Sequence, residues 1–159
     1  MAFLRVLAAS NNTCSMRKVL LAVENRAECS NYRFLNESNR AMTYVNSSIG
    51  NLCDTAVSGW YRFSGEAGTQ MADSCPKIHH CSTDSPGWLS GTHPTVAEGI
   101  VQRKVCFLQH LSGTDCCYFS KDISVRNCGA FYVYRLDPPR CYSRYCGNGL
   151  PQAPGQNVF

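Results

Sequence analysis

Nine of the eleven cysteines fall between Cys53 and Cys146, and two of these, Cys116 and Cys117, are adjacent. At about one cysteine in ten residues, cross-links rather than core volume define a fold. The spacing argues against metal. Structural zinc sites are built from Cys-x-x-Cys or His-x-x-x-His pairs, whose short arcs bring two ligands to one tetrahedral ion, and no Cys-x-x-Cys occurs here. A vicinal pair does not readily bridge to itself, so each of its sulfurs needs a distant partner. Glutathione-buffered cytosol would keep such thiols reduced. The chain is therefore expected to mature in the secretory pathway and to work outside the cell or in a lumen. Three Asn-x-Ser/Thr sequons agree with that compartment, at Asn11, Asn36 and Asn46.

The length of 159 residues suits one domain plus tails, and 16% charged residues is low for a globular chain. A net charge of +4 is scattered, with no basic run longer than two residues. Nucleic-acid binding thus has no motif behind it. Residues 1–28 make a poor secretion signal, because their longest apolar runs, Val6 to Ala9 and Val19 to Val23, fall short of an h-region. They read as an atypical or incomplete leader, expected to be disordered. No 18-residue apolar span marks a transmembrane helix. Residues 147–159, rich in glycine, proline and glutamine, read as a flexible tail.

Between the tails the pattern is mostly strand. Gly59 to Gly65 puts Tyr61 and Phe63 on one face and Trp60 and Arg62 on the other. Gly99 to Leu108 aligns Val101, Val105 and Phe107, while Lys121 to Arg126 turns Ile123 and Val125 inward. Phe131 to Leu136 is the strongest strand and stops at Pro138-Pro139, where two donors are missing. Tyr32 to Tyr44 is expected to hold one short helix. The fold class is a small β-rich, disulfide-stapled domain with mostly short antiparallel strands and at most one or two short helices.

Catalytic constellations are weak. The chain has no Gly-x-Ser-x-Gly elbow, no His-Glu-x-x-His helix and no nucleotide-binding glycine loop. Cys81 beside His79 and His80 is the one candidate thiolate–imidazole pair, and a disulfide at Cys81 would consume it. The histidine pair reads as a loop rather than a metal site, and His93 before Pro94 as a turn former. No catalytic residue, metal or cofactor is expected. Trp60, Tyr61, Phe63, Trp88, Phe131, Tyr132 and Tyr134 read chiefly as core, with a sugar-stacking surface as the alternative.

Several rare words narrow the kinship: Cys53-Asp54-Thr55, Gly59-Trp60-Tyr61-Arg62-Phe63, Met71-Ala72-Asp73-Ser74-Cys75, Gly91-Thr92-His93-Pro94, Cys116-Cys117, Tyr132-Val133-Tyr134 and Pro138-Pro139. From about Cys29 to Cys146 the chain resembles the eight-cysteine extracellular domain of uromodulin, the pancreatic zymogen-granule membrane glycoprotein and their relatives. The resemblance implies bridges Cys53–Cys141, Cys75–Cys116, Cys81–Cys146 and Cys106–Cys117, with a further Cys29–Cys128, and leaves Cys14 over.

The resemblance also implies a non-catalytic secreted module that acts as a glycan decoy for bacterial adhesins or engages extracellular partners, as part of a longer multidomain protein. In uromodulin the decoy glycan sits in the strand aligned with Tyr132-Val133-Tyr134. Here Arg135 stands at its asparagine and Asp137 at its threonine. A second family sequon becomes Trp88-Leu89-Ser90-Gly91-Thr92. Glycans are accordingly expected at Asn36, Asn46 and Asn11 instead. The competing readings are a secreted hydrolase or metal enzyme on a disulfide scaffold, and a structural spacer of a matrix or mucus protein.

Overall fold

The computed structural model describes residues 26–45, 52–109 and 114–150. The chain divides into two units, residues 1–31 and residues 32–159. Of the first, the described stretch is a 3₁₀ turn, Ala27–Cys29, closed by the Cys29 N–H on the Arg26 carbonyl at 2.9 Å.

The second unit is built on seven strands: β1 Arg33–Leu35, β2 Gly59–Phe63, β3 Ser85–Ser90, β4 Ile100–Phe107, β5 Phe119–Asn127, β6 Tyr132–Leu136 and β7 Ser143–Tyr145. They form one sheet in the order β1-β2-β6-β5-β4-β3-β7. The four inner pairings, β2–β6, β6–β5, β5–β4 and β4–β3, are antiparallel, whereas the edge pairings β1–β2 and β3–β7 are parallel. Among the described residues every helical segment is a single 3₁₀ turn, so the domain is β-rich.

The alternation legible in the sequence sets the faces. Tyr61 and Phe63 of β2, Val105 and Phe107 of β4, Ile123 and Val125 of β5, and Tyr134 and Leu136 of β6 share one core with Leu35, Met71, Leu89 and Tyr145. Fully burying one such side chain is worth about 1.5–3 kcal/mol relative to leaving it in water. Phe63 meets Tyr134 edge-on at 5.5 Å, and Phe107 stacks on Phe119 at 4.6 Å.

Two findings depart from expectation. The segment Tyr32 to Tyr44 holds no α-helix but strand β1 followed by a 3₁₀ turn, Ser38–Arg40. Phe34 and Leu35 are adjacent apolar residues, one exposed and one buried, and the Ser64 N–H donates to the Leu35 carbonyl, so pairing with β2 and not a local period sets this strand. The chain also remains in the fold past Cys146. The Gly147 N–H donates to the Arg40 carbonyl and its own carbonyl accepts from Met42, while Gly149 N–H donates to Ala67. A Cβ on Gly147 would fall 1.9 Å from the Ala67 carbonyl oxygen, so only glycine lets these backbones approach.

Three bridges staple one end of the sheet. Cys106, in β4, joins Cys117 across the β4–β5 turn; Cys116 joins Cys75; and Cys81 joins Cys146. The vicinal pair thus sends its two sulfurs to different elements. In the chain-entropy model a loop of 65 residues, as between Cys81 and Cys146, is worth about 4 kcal/mol.

Candidate recognition surface

Strand β1 sorts its residues on two faces. Arg33 lies over the Tyr61 ring at 4.6 Å, and Leu35 is buried in the core. Phe34 and Asn36, on either side of Leu35, are exposed, and Phe34 keeps 55% of its surface. The register then carries this outer face across the sheet. Phe34 pairs with Arg62 in β2, and Trp60, two residues before Arg62, pairs with Arg135 in β6. Phe34, Arg62, Trp60 and Arg135 therefore project to one side, since alternate residues of a strand share a face, and Asn36 is exposed one residue past the end of β1.

This face has a rigid centre. Arg62 donates to the Tyr32 hydroxyl at 3.1 Å and lies over the Phe131 ring at 3.9 Å. Tyr32 meets Phe34 edge-on at 5.4 Å and Phe131 at 5.4 Å in a tilted contact. A guanidinium held by three rings gains about 0.5–2 kcal/mol per good contact. Phe34 is the member of the set whose ring faces water.

Below Asn36 the chain turns on a buried charge cluster. Arg40 donates twice to Asp54, at 2.7 and 2.9 Å, and once to the Tyr145 carbonyl at 3.0 Å. Asp54 also accepts the Tyr145 N–H at 2.9 Å. Arg144 reaches Asn39 and the Cys81 carbonyl. Burial lowers Arg144, reinforced by the charge of Arg40, and together they push it down to about 10. For Arg40 burial works against the charge, yet the hydrogen bonds to Asp54 and Glu37 outweigh it and raise its pKa. Burial would raise Glu37, but its contacts with Arg40 hold the carboxyl below its usual range. A cleft of about 580 Å³ opens beside this cluster between Phe34, Leu52, Val57 and Arg144. Its charges satisfy one another, which suits a fixed scaffold rather than a proton-transfer site.

The residues singled out from sequence fall as follows. Cys75, Cys116, Cys81, Cys146, Cys106 and Cys117 are in the three bridges, and Cys29 and Cys128 are each disulfide-bonded. Cys141 is exposed and outside any bridge in the structure, while Cys53 Sγ accepts the Tyr142 N–H at 2.8 Å. Asn36 is exposed; Asn11, Asn46, Cys14 and His110 lie outside the described residues.

Cys81 is fully buried in its bridge, so it pairs with neither neighbouring histidine. His79 instead meets Asp84 at 3.2 Å, and His80 Nδ1 meets the Met42 carbonyl. Among the described residues no three His, Cys, Asp or Glu side chains are grouped to hold a metal ion.

His93 is more constrained than a turn former. Its Nε2 lies 2.9 Å from the Tyr134 hydroxyl, which accepts the Met71 N–H at 2.9 Å. Burial lowers its pKa, Arg103 adds to this and Asp73 opposes it. Burial likewise raises the Tyr134 phenol far above its ordinary value.

The two tryptophans are both half-buried. Trp88 donates to the Cys116 carbonyl at 2.9 Å and packs on Cys81 and Cys146, so it belongs to the core. Tyr32 and Phe34 are not among the aromatics that the sequence singles out. No signal in the sequence picks them out, since the adjacent Phe34 and Leu35 break any alternation of apolar and polar residues.

A family model described as the uromodulin-like domain of eight cysteines matches residues 61–147. The chain is 45% identical over 120 residues to the pancreatic secretory granule membrane major glycoprotein GP2 of the dog, across 74% of this chain and 23% of that protein. The human GP2 glycoprotein is 43% identical over 120 residues, across 74% and 21% of the two chains. Mouse uromodulin is 42% identical over 120 residues, across 74% and 18%. The chain therefore spans about a fifth of the length of these curated relatives.

Proposed function

The chain belongs to the uromodulin-like eight-cysteine domain family, and we propose that it works as a non-catalytic secreted glycoprotein module whose glycan, on Asn36, is displayed to extracellular partners, mannose-binding bacterial adhesins among them. The observation that carries this reading is the register of the outer sheet face. Arg135 stands where the resemblance implies the decoy asparagine of uromodulin, and it pairs with Trp60. Asn36 is exposed at the end of β1, two strands away, next to Phe34 of the same outer face. A glycan there would leave the domain in the direction that the aligned position takes in uromodulin, although the acceptor has moved.

The extracellular assignment rests on the disulfides and on kinship with proteins called uromodulin and a secretory granule membrane glycoprotein. Among the described residues no helix is long and apolar enough to cross a membrane. The catalytic alternative draws no support from the arrangement of side chains, since Cys81 is bridged and Asp54 is held by Arg40 and Tyr145. We propose further that Cys53 pairs with Cys141, and Cys29 with Cys128, in the oxidised secreted protein. The hydrogen bond from Tyr142 to Cys53 Sγ keeps residue 141's neighbour against that sulfur, which supports the first pairing.

The test is capture by a mannose-binding fimbrial adhesin. The chain would be produced behind a secretory leader in mammalian cells and offered to the immobilised adhesin. Capture should be competed by methyl mannoside and lost in Ser38→Ala, which removes the sequon and keeps the asparagine. Absence of capture, or equal capture of Ser38→Ala, would refute the Asn36 decoy.

A further inference from the structure

We infer that Phe34 is a stacking platform for the first N-acetylglucosamine of a glycan on Asn36, so that the glycan is oriented by the sheet and not merely tethered to it. The inference rests on the Asn36 assignment above and adds a contact to it.

The argument begins with the strand. Leu35 is buried in the core, and Arg33, though exposed, lies on the Tyr61 ring, so these two residues share one face of β1. Phe34 is exposed on the opposite side, and Asn36 is exposed one residue past the end of the strand. Two residues along an extended chain span about 6.6 Å, which is close to the reach of a sugar ring from its point of attachment. Asn36 is itself exposed, and Gly65, which follows β2, approaches it without a side chain: a Cβ added there would lie 3.8 Å from the Asn36 Cβ.

The platform is already held in place. Phe34 abuts Tyr32 edge-on at 5.4 Å, and Arg62 is fixed 6.0 Å from its centroid. Its ring loses little freedom when a ligand arrives, which lowers the cost of stacking. The chemistry fits an amino sugar. One face of a pyranose presents C–H groups carrying partial positive charge, and these match the negative face of an aromatic ring.

Attachment itself is a glycosyl transfer from a lipid-linked oligosaccharide. A bond forms between Asn36 Nδ2 and the sugar C1, the C1–O bond to the lipid diphosphate breaks with its electron pair, and the displaced amide proton passes to that leaving group.

The experiment uses the secreted glycoprotein made under mannosidase inhibition and trimmed by endoglycosidase to one N-acetylglucosamine at each occupied site. A two-dimensional proton–carbon spectrum reads the ring protons and N-acetyl methyl of the sugar on Asn36, assigned by its loss in Ser38→Ala. Mass spectrometry of the same sample reads occupancy. Stacking predicts ring-current displacement upfield in the native protein. The displacement should vanish in Phe34→Ala and persist in Phe34→Tyr, with the spectrum of the core unchanged in each. Occupied Asn36 with undisplaced signals would overturn the platform and leave the glycosylation standing. A bare Asn36 would overturn both.

Discussion

At the scale of single residues the account depends on Asp54 more than on any aromatic. It is 5% exposed and receives three hydrogen bonds, two from Arg40 and one from the Tyr145 backbone. Removing it takes away the one buried carboxylate beside the guanidiniums of Arg40 and Arg144, leaving Glu37, whose side chain is half exposed, as their nearest counter-charge. Asp54→Ala should therefore destabilise the domain by about 3–5 kcal/mol in urea denaturation. A loss within the ~0–1 kcal/mol of a surface pair would contradict the assignment. His93 gives a second prediction. Its folded pKa is depressed by burial, so the unfolded chain takes up the proton first as pH falls. Stability contributed by neutral His93 is full above the unfolded value of about 6.5 and declines below it until the folded form titrates. The melting temperature of the native protein should fall faster between pH 7 and 5 than that of His93→Gln; parallel profiles would refute this. Neither role was legible beforehand. Asp54 sits in the word Cys53-Asp54-Thr55, which names no partner for it, and Arg40 is fourteen residues away with no periodic pattern linking them.

Strand β5 was readable because it alternates apolar and polar residues, β4 because Val101, Val105 and Phe107 fall on one face, and β2 and β6 because they are rich in aromatic and β-branched residues bounded by glycine or proline. Strand β3 was not. Its Ser85-Pro86-Gly87 reads as a turn, and only tertiary packing makes it a strand. The Pro86 carbonyl accepts the Leu108 N–H, while the hydrogen at Gly87 leaves room for the Phe107 ring. A Cβ at Gly87 would lie 2.5 Å from that ring. Gly87→Ala should cost about 1–3 kcal/mol, and much of that should return in a double variant with Phe107→Leu. Additive losses would mean that the ring is not the obstacle. Strand β1 was hidden by its length of three residues, and with it went the outer face that now positions Asn36.

For the whole molecule the cysteine count already announced an oxidised, cross-linked domain. The partners of those sulfurs were implied by the family words and not by spacing, since any pairing scheme closes loops in a chain of this length. The bridges from Cys75, Cys81 and Cys106 converge on β4, β7 and the turn before β5, where seven short strands alone would bind weakly. Replacing Cys81 and Cys146 together with serine should cost about 2–5 kcal/mol and lower secretion, whereas secretion at the native level would show that this bridge is dispensable. The face proposed to carry a glycan and the stapled end are thus separate demands on one sheet.

The most direct measurement is a peptide map of the secreted protein, alkylated before any reductant is added and read by mass spectrometry. The account predicts linked peptides joining Cys75 to Cys116, Cys81 to Cys146 and Cys106 to Cys117, together with a glycan on the peptide that carries Asn36. Alkyl label on those six sulfurs, or an unmodified Asn36 peptide, would contradict it.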